Sequence, residues 1–195
     1  MEPLGQWVLE QACRDATAWP DHVKVAINLS TVQLRTCALL DVILRALRES
    51  GLRPGRLELE ITESVLMKNV KGNDAIFRQL KNIGVSIALD DFGMGYSSLS
   101  YLTMLPFDKI KIDRSFTQGL ANNVGCMASV ASVVTLARHL DMVVTAEGVE
   151  TKQQFQLLRA AGVHQVQGYF FARPGPVSEL NFVALDSRGQ AVAAA

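Results

Sequence analysis

The sequence predicts an α/β fold built as a (β/α) barrel of parallel strands, with about six of the eight strands present. Short β-branched, apolar runs alternate with segments of helical periodicity along the chain. No G-x-G-x-x-G pattern follows the first strand, which argues against an open, doubly wound dinucleotide fold. A complete barrel needs about 250 residues, and the chain has 195.

The first half of the chain predicts the order helix, strand, helix, strand. The segment LGQWVLEQACRDATAW places apolar residues at helical spacing, and Pro20 closes this helix. VKVAINLS is a short β-branched strand. TVQLRTCALLDVILRALRESGL predicts one helix with Gly51 past its end. RLELEITES alternates leucine and isoleucine with glutamate, which is typical of a strand.

The second half of the chain continues the alternation of helices and strands. DAIFRQLKNIG predicts a helix, VSIALDD a buried strand, SSLSYLTMLP a turn-rich connection and DKIKID a strand. CMASVASVVTLARHLD and TKQQFQLLRAAG predict helices, and MVVTAEGVE and QVQGYFFARP predict the strands that follow them. We expect residues 1–185 to form one barrel domain that lacks its first two strands, with residues 186–195 as a loose tail.

The composition excludes several classes of protein. Hydrophobic residues make up 49% of the chain and charged residues 19%, which suits one cored domain and not a disordered segment. Lysine plus arginine and aspartate plus glutamate number 19 each, so no overall basic field favours a nucleic-acid polymer as partner. Cys13, Cys37 and Cys126 have no disulfide or metal-ligand spacing. With no leader pattern and no membrane span in the sequence, these features predict a cytoplasmic chain.

Polar residues stand where the predicted strands end. In a (β/α) barrel these carboxyl ends surround the site of chemistry, and carboxylate and amide oxygens suit Mg²⁺ or Mn²⁺. Taken singly, Asn28 could cap a helix, Glu60 could face solvent and Asp91 could start a turn. The strand-end residues are Asn28, Glu60, Asp90, Asp91, Lys111, Asp113, Glu147, Glu150 and Gln167.

The position of Lys111 leaves two readings open. Its place between Ile110 and Ile112 fits a lysine that faces solvent from a strand. The same alternation could point it into the barrel mouth beside the carboxylates, where an ammonium would hold a water or a phosphate oxygen. The three histidines lie outside this group of residues.

Five motifs follow one another over about residues 4–180: NLS, LELEITES, IALDDFGMGYSSLSYLTMLPFDKIKIDRSF, AEGVET and QGYFFARP. Through these motifs the chain resembles the EAL-domain family of cyclic di-GMP phosphodiesterases. The resemblance implies an EAL-type, TIM-like barrel of bacterial signalling that hydrolyses cyclic di-GMP to pGpG. It also implies two Mg²⁺ or Mn²⁺ ions per complete site and upstream sensory or GGDEF-type domains in the parent protein.

The resemblance also implies roles for individual residues. Asn28, Glu60 and Asp90 match the ligands of one metal, and Asp90, Asp91 and Glu147 match those of the other. Lys111 matches the lysine that positions the attacking water. The resemblance further implies that Glu63 anchors the loop after the paired aspartates, and that Asp113, Glu150 and Gln167 lie behind the ligands or beside the substrate.

Two features depart from the family pattern. The sequence contains no Glu-Ala-Leu motif, whose glutamate is a metal ligand in the family, and we expect an unpaired strand edge near VKVAINLS, covered by a second chain or by the amino-terminal helix. Met94 stands where the family usually has threonine. We therefore expect little hydrolysis by these residues alone. A non-catalytic cyclic di-GMP receptor and an interaction module that pairs as a homodimer are the alternatives.

Overall fold

Six parallel strands form a single sheet whose spatial order is the order of the chain. The computed structural model describes residues 3–35, 38–67, 70–93, 99–179, 184–185 and 191–192. The sheet curls into a half-barrel with helices, so the predicted α/β barrel with about six strands is confirmed. The strands are β1 (Val25–Asn28), β2 (Leu57–Thr62), β3 (Ser86–Phe92), β4 (Lys109–Ile112), β5 (Val143–Ala146) and β6 (Gln165–Val166).

Helices connect the strands throughout, and no helix within the described ranges is long and apolar enough to cross a membrane. A short antiparallel pair, β7 (Ala184–Leu185) with β8 (Ala191–Val192), follows the sheet. The α-helices are α1 (Pro3–Ala16), α2 (Thr31–Arg35), α3 (Leu39–Ser50), α4 (Glu63–Met67), α5 (Val70–Asn82), α6 (Leu99–Met104), α7 (Arg114–Gly119), α8 (Val124–His139) and α9 (Lys152–Ala160).

The hydrophobic core lies between the outer face of the sheet and the helices. Leu57, Leu59 and Ile61 alternate along β2 and are fully buried in this core. The residues between them, Glu58 and Glu60, are also buried, but they line the lumen of the half-barrel. Because successive side chains of a strand point to opposite faces, an apolar outer face and a polar lumen follow from one alternating pattern.

The predicted helix over TVQLRTCALLDVILRALRESGL is wrong in one respect, because the structure divides it into α2 and α3. Leu34 and Leu39 are both buried, yet residues five apart on one straight helix point about 140° away from each other. A break between the two helices lets both side chains reach the core. The end of α3 agrees with the prediction, since Gly51 is left-handed, with φ of 74°, and its N–H donates to the Leu47 carbonyl.

Two other predicted elements differ from the structure. The connection SSLSYLTMLP contains a helix, α6, which buries Leu102; Leu105, directly after the helix, is also buried, and its N–H donates to the Tyr101 carbonyl over 3.0 Å. The strand predicted over QVQGYFFARP stops after Val166. There the backbone of Gly168 lies so close to Val149 that a Cβ would be 2.2 Å from the Val149 oxygen, and the chain turns.

β1 is the first strand of the sheet and pairs only with β2 in the part of the chain that the structure describes. The predicted unpaired edge is therefore confirmed. Helix α1 packs against β1 and α3, and the cover of this edge by a second chain or by α1 stays a prediction.

Candidate functional site

The carboxyl ends of the strands meet at one mouth of the half-barrel. Asn28 pairs in register with Glu60, and Thr62 pairs with Asp90. The backbone N–H of Glu147 donates to the Ile112 carbonyl over 3.1 Å, which extends the pairing of β5 with β4 by one residue. Parallel strands in register thus place these side chains at the same edge of the sheet.

An irregularity in β3 brings two adjacent aspartates to the same side. The register of β3 with β4 shifts between Leu89 and Phe92, and Asp91 has φ of 55°. A regular strand would send Asp90 and Asp91 to opposite faces, whereas a bulge re-aims a side chain. One carboxylate oxygen each of Asp90, Asp91 and Glu147 lie within 4.8 Å of one another. The adjacent carboxylates are thereby placed to share one cation.

Lys111 points into this cluster from β4. Its Nζ lies 2.7 Å from Oε1 of Glu147, 2.8 Å from Oε1 of Glu60 and 3.2 Å from Oδ1 of Asp90. Only 5% of the lysine side chain is exposed. Of the two readings of its alternation, the structure supports the one in which the lysine faces the barrel mouth.

Small residues on β3 allow lysines of β4 to reach the glutamates of β2. Ala88 is the register partner of both Glu60 and Lys109, and it presents only a methyl group between them. Both ion pairs run diagonally across β3 beside this methyl group: Lys111 reaches Glu60, and Lys109 reaches Glu58, with Nζ of Lys109 and Oε1 of Glu58 2.6 Å apart. The lumen therefore contains two layers of ion pairs, an upper layer with Lys111 and Glu60 and a lower layer with Lys109 and Glu58.

Burial and mutual repulsion raise the proton affinity of two carboxylates. The pKa of Glu147 is raised by burial and by the nearby charges of Asp90 and Glu60, although the hydrogen bond from Lys111 opposes the shift. The pKa of Asp91 is raised by burial, by Asp90 and by Asp113. For Lys111, burial lowers the pKa, but hydrogen bonds to Glu147 and Glu60 outweigh it and raise the pKa above its ordinary value. The shifts of Glu147 and Asp91 reflect the concentration of negative charge at this mouth of the half-barrel.

The other predicted residues occupy less central places. Glu63 is buried at the start of α4. Asp113 caps α7, and its Oδ1 accepts a hydrogen bond from the Ser115 N–H over 2.9 Å. Glu150 is exposed just before α9, and Gln167 lines the lumen. Asn28 is exposed at the end of β1, and Met94 lies outside the described residues.

The lower layer of the lumen was not singled out from the sequence. It contains the Glu58–Lys109 ion pair and a hydrogen bond of 2.8 Å from Lys24 Nζ to Ser86 Oγ. A cavity of about 540 Å³ opens onto both layers. The signal was present in the sequence, since Glu58 and Glu60, like Lys109 and Lys111, are two residues apart and must face the same side of a strand.

The residues fit a divalent cation by their chemistry. The described cluster of Asp90, Asp91 and Glu147 offers carboxylate oxygens and neither thiolate nor imidazole, which is the donor set of hard ions such as Mg²⁺ and Mn²⁺. An ammonium already lies among Glu60, Asp90 and Glu147. The site is thus built to hold positive charge.

Comparison with known proteins identifies the family. The family model described as EAL domain matches residues 1–174 of the sequence. The bifunctional diguanylate cyclase/cyclic di-GMP phosphodiesterase MucR of Pseudomonas aeruginosa is 41% identical over 181 residues, which are 91% of this chain and 26% of MucR. The chain spans about a quarter of the length of the curated relatives it matches.

Two solved structures share the fold. A c-di-GMP complex of the PaMucR phosphodiesterase superposes with a TM-score of 0.85 at 41% identity, covering 90% of this chain and 73% of that one. A manganese/cy-diGMP complex of Klebsiella pneumoniae BlrP1 has a TM-score of 0.81 at 32% identity and covers 88% and 44% of the two chains. The chain therefore belongs to the EAL domain family.

Proposed function

We propose that the chain carries the metal-binding and water-positioning part of a cyclic di-GMP phosphodiesterase that forms pGpG with two Mg²⁺ or Mn²⁺ ions. The observation that carries this proposal is the group formed by Asp90, Asp91 and Glu147 around one point, with Lys111 beside it. The cyclic di-GMP complexes of relatives from the same family supply the substrate class.

Two bound ions would activate a water and steady the leaving oxygen of a phosphodiester displacement. In the reaction, a water oxygen bonds to phosphorus, and the bond from phosphorus to the 3′ oxygen breaks. The 3′ oxygen takes up a proton, and the opened ring is pGpG, with a phosphate at its 5′ end. Lys111 donates a hydrogen bond to the attacking water or to a phosphate oxygen, and holds it in place.

The remaining residues divide between the two ions and their surroundings. Asn28, Glu60 and Asp90 would hold one ion, and Asp90, Asp91 and Glu147 would hold the other, as the resemblance to the family implies. Glu63 is buried at the start of α4; the loop after the aspartates, for which the resemblance implies that it is the anchor, lies mostly outside the described residues. Asp113, Glu150 and Gln167 support the ligands or contact the nucleotide; the capping bond of Asp113 fits a supporting part.

A second candidate is a receptor that binds cyclic di-GMP without hydrolysing it. It is favoured by the exposure of Asn28 at the end of β1, an edge strand among the described residues. For either candidate function, we propose that the chain is located in the cytoplasm and that it forms part of a longer signalling protein with sensory or GGDEF-type domains. Pairing of two copies as a homodimer is part of the same proposal.

Hydrolysis of cyclic di-GMP by the chain with and without an added Glu-Ala-Leu segment tests the proposal. The chain alone is incubated with cyclic di-GMP and Mn²⁺, and so is the chain with a Glu-Ala-Leu-containing segment of a relative joined before Pro3. We expect little pGpG from the first and robust pGpG from the second. In the second, Asp90→Asn abolishes turnover because it weakens a shared ligand, whereas Asp74→Asn on α5 leaves it unchanged.

Chromatography of the nucleotides and calorimetric titration with cyclic di-GMP read out the result. Binding without pGpG in the extended chain favours the receptor. Absence of both binding and turnover in the extended chain contradicts both candidates, and robust pGpG from the unextended chain contradicts the need for the Glu-Ala-Leu glutamate.

A further inference from the structure

We propose that the ammonium of Lys111 competes with one of the two divalent ions, so that the ions bind in sequence. The first ion binds at Asp90, Asp91 and Glu147, and the second binds only when Lys111 withdraws from Glu60 and Asp90. This inference deepens the proposed function and rests on it for the assignment of the ligands. It concerns how the same site is loaded.

The contacts of Lys111 show what it competes for. A lysine ammonium has three N–H donors and no acceptor, and three carboxylates lie within hydrogen-bond or ion-pair distance of its Nζ. Glu60, Asp90 and Glu147 thus satisfy the hydrogen-bonding capacity of the ammonium, and only 5% of the Lys111 side chain is exposed to solvent. An ion that needs the oxygens of Glu60 and Asp90 must replace these contacts.

The two cation positions overlap without being the same. Asp90 and Glu147 belong both to the carboxylate cluster and to the partners of Lys111. Asp91 belongs to the cluster alone, and Glu60 contacts Lys111 but is outside the cluster. A first ion can therefore bind beside Lys111, whereas a second ion at Glu60 meets the ammonium directly.

The formal charges give the same order. Four ionised carboxylates and Lys111 leave an excess of negative charge, which one divalent ion reduces without cancelling. A second divalent ion makes the group net positive as long as the ammonium stays among the carboxylates. Because like charges a few ångströms apart repel strongly in a site of low dielectric constant, binding of the second ion and withdrawal of Lys111 are coupled.

The lumen offers room for the withdrawal. The cavity of about 540 Å³ is lined by Lys111, Glu60, Thr145 and Gln167, among others. The flexible four-carbon stem of lysine can move the ammonium within this space while its backbone stays in β4.

Titration with Mn²⁺ alone, without nucleotide, tests the proposal. Calorimetry and electron paramagnetic resonance of the whole chain measure the number of bound ions and the affinity of each. We expect one tighter and one weaker ion for the unmodified chain. In Lys111→Met, the second ion binds at least ~10-fold more tightly because the competing charge is gone, and the first ion gains less.

Lys24→Met is the matched control. Lys24 also lines the lumen, but its Nζ donates to the neutral Ser86 hydroxyl over 2.8 Å. Its loss removes the same charge from the same cavity without freeing a carboxylate. We expect both affinities for Mn²⁺ to stay within about 2-fold of the unmodified chain, since this exposed charge is screened by solvent.

Two further variants keep the test decisive if Lys111→Met does not fold, as judged by circular dichroism. Lys111→Gln preserves polarity and is expected to tighten the second ion in the same direction. Glu60→Gln is expected to lose the second ion and to keep the first. The proposal is overturned if the folded Lys111 variant binds the second ion no more tightly than the unmodified chain, or if that chain binds two ions with equal affinity. The Mn²⁺ affinities are measured without nucleotide and do not depend on whether the chain hydrolyses cyclic di-GMP. The competition proposal and the proposed function can therefore fail separately.

Discussion

The ion pair between Glu58 and Lys109 gives a prediction about stability. Lys109→Met removes the partner of a glutamate whose side chain is 5% exposed. Breaking a buried ion pair by removing one partner costs roughly 3–5 kcal/mol, because the remaining charge is left without compensation. The cavity borders both residues, and water there can solvate the freed carboxylate. We therefore expect a loss near the lower limit, about 3 kcal/mol in the free energy of unfolding.

A double-mutant cycle separates the pair from its surroundings. Glu58→Met combined with Lys109→Met replaces both charges with apolar groups, and we expect this double variant to be within about 1 kcal/mol of the unmodified chain. Urea unfolding followed by circular dichroism measures each free energy. A loss below about 1 kcal/mol in Lys109→Met, or additive losses in the double variant, would refute the reasoning that the layer is buried and coupled.

Two further predictions concern the thiols and a glycine beside the site. Burial raises the pKa of the Cys13 thiol to about 11. At pH 8 we therefore expect a thiol reagent to label half-buried Cys126 in the native chain and to leave Cys13 unlabelled, as measured by peptide mass spectrometry. Equal labelling rates of the two cysteines would contradict the packing of α1. Gly148→Ala puts a Cβ 2.4 Å from Cβ of Arg114 at φ of 68°, whereas the Cβ of Gly51→Ala, at φ of 74°, meets nothing within 4 Å. We expect Gly148→Ala to lower the free energy of unfolding by at least ~2 kcal/mol and Gly51→Ala to lower it by ~1 kcal/mol. Equal losses of the two variants in urea unfolding would show that the contact with Arg114 adds nothing.

Alternation along the strands made much of the fold and site predictable. In β2 the same period of two fixes the apolar outer face and the placement of Glu58 and Glu60 in the lumen. Because parallel strands end at one edge, Asp90 and Glu147 could be assigned to a common mouth from strand boundaries alone. These predictions depend on local periodicity and on one topological rule, both of which a single sequence carries.

Other features depend on contacts between distant segments. The brevity of β6 follows from the close approach of Gly168 to Val149, and no local pattern signals this contact. The reach of Lys111 to Glu60 depends on the register of three strands, in which Ala88 of β3 is opposite both Glu60 and Lys109. Register between strands is fixed by the packing of the whole sheet. From the sequence, Lys111 could therefore either face solvent or point into the barrel mouth, and its three partners could not be predicted individually.

The position of Lys111 connects the fold of the site with its chemistry. Buried carboxylates need a compensating charge, and Glu60 lies in β2, Asp90 in β3 and Glu147 directly after β5. Lys111 satisfies all three from β4, so these strand ends can pack together before any divalent ion binds. A cation tethered to the chain is always present, which makes it an effective counter-ion for folding and a standing competitor for the ions that the reaction requires. The proposed withdrawal resolves this conflict, because the same ammonium that balances the carboxylates becomes available to hold a water once an ion takes over that task.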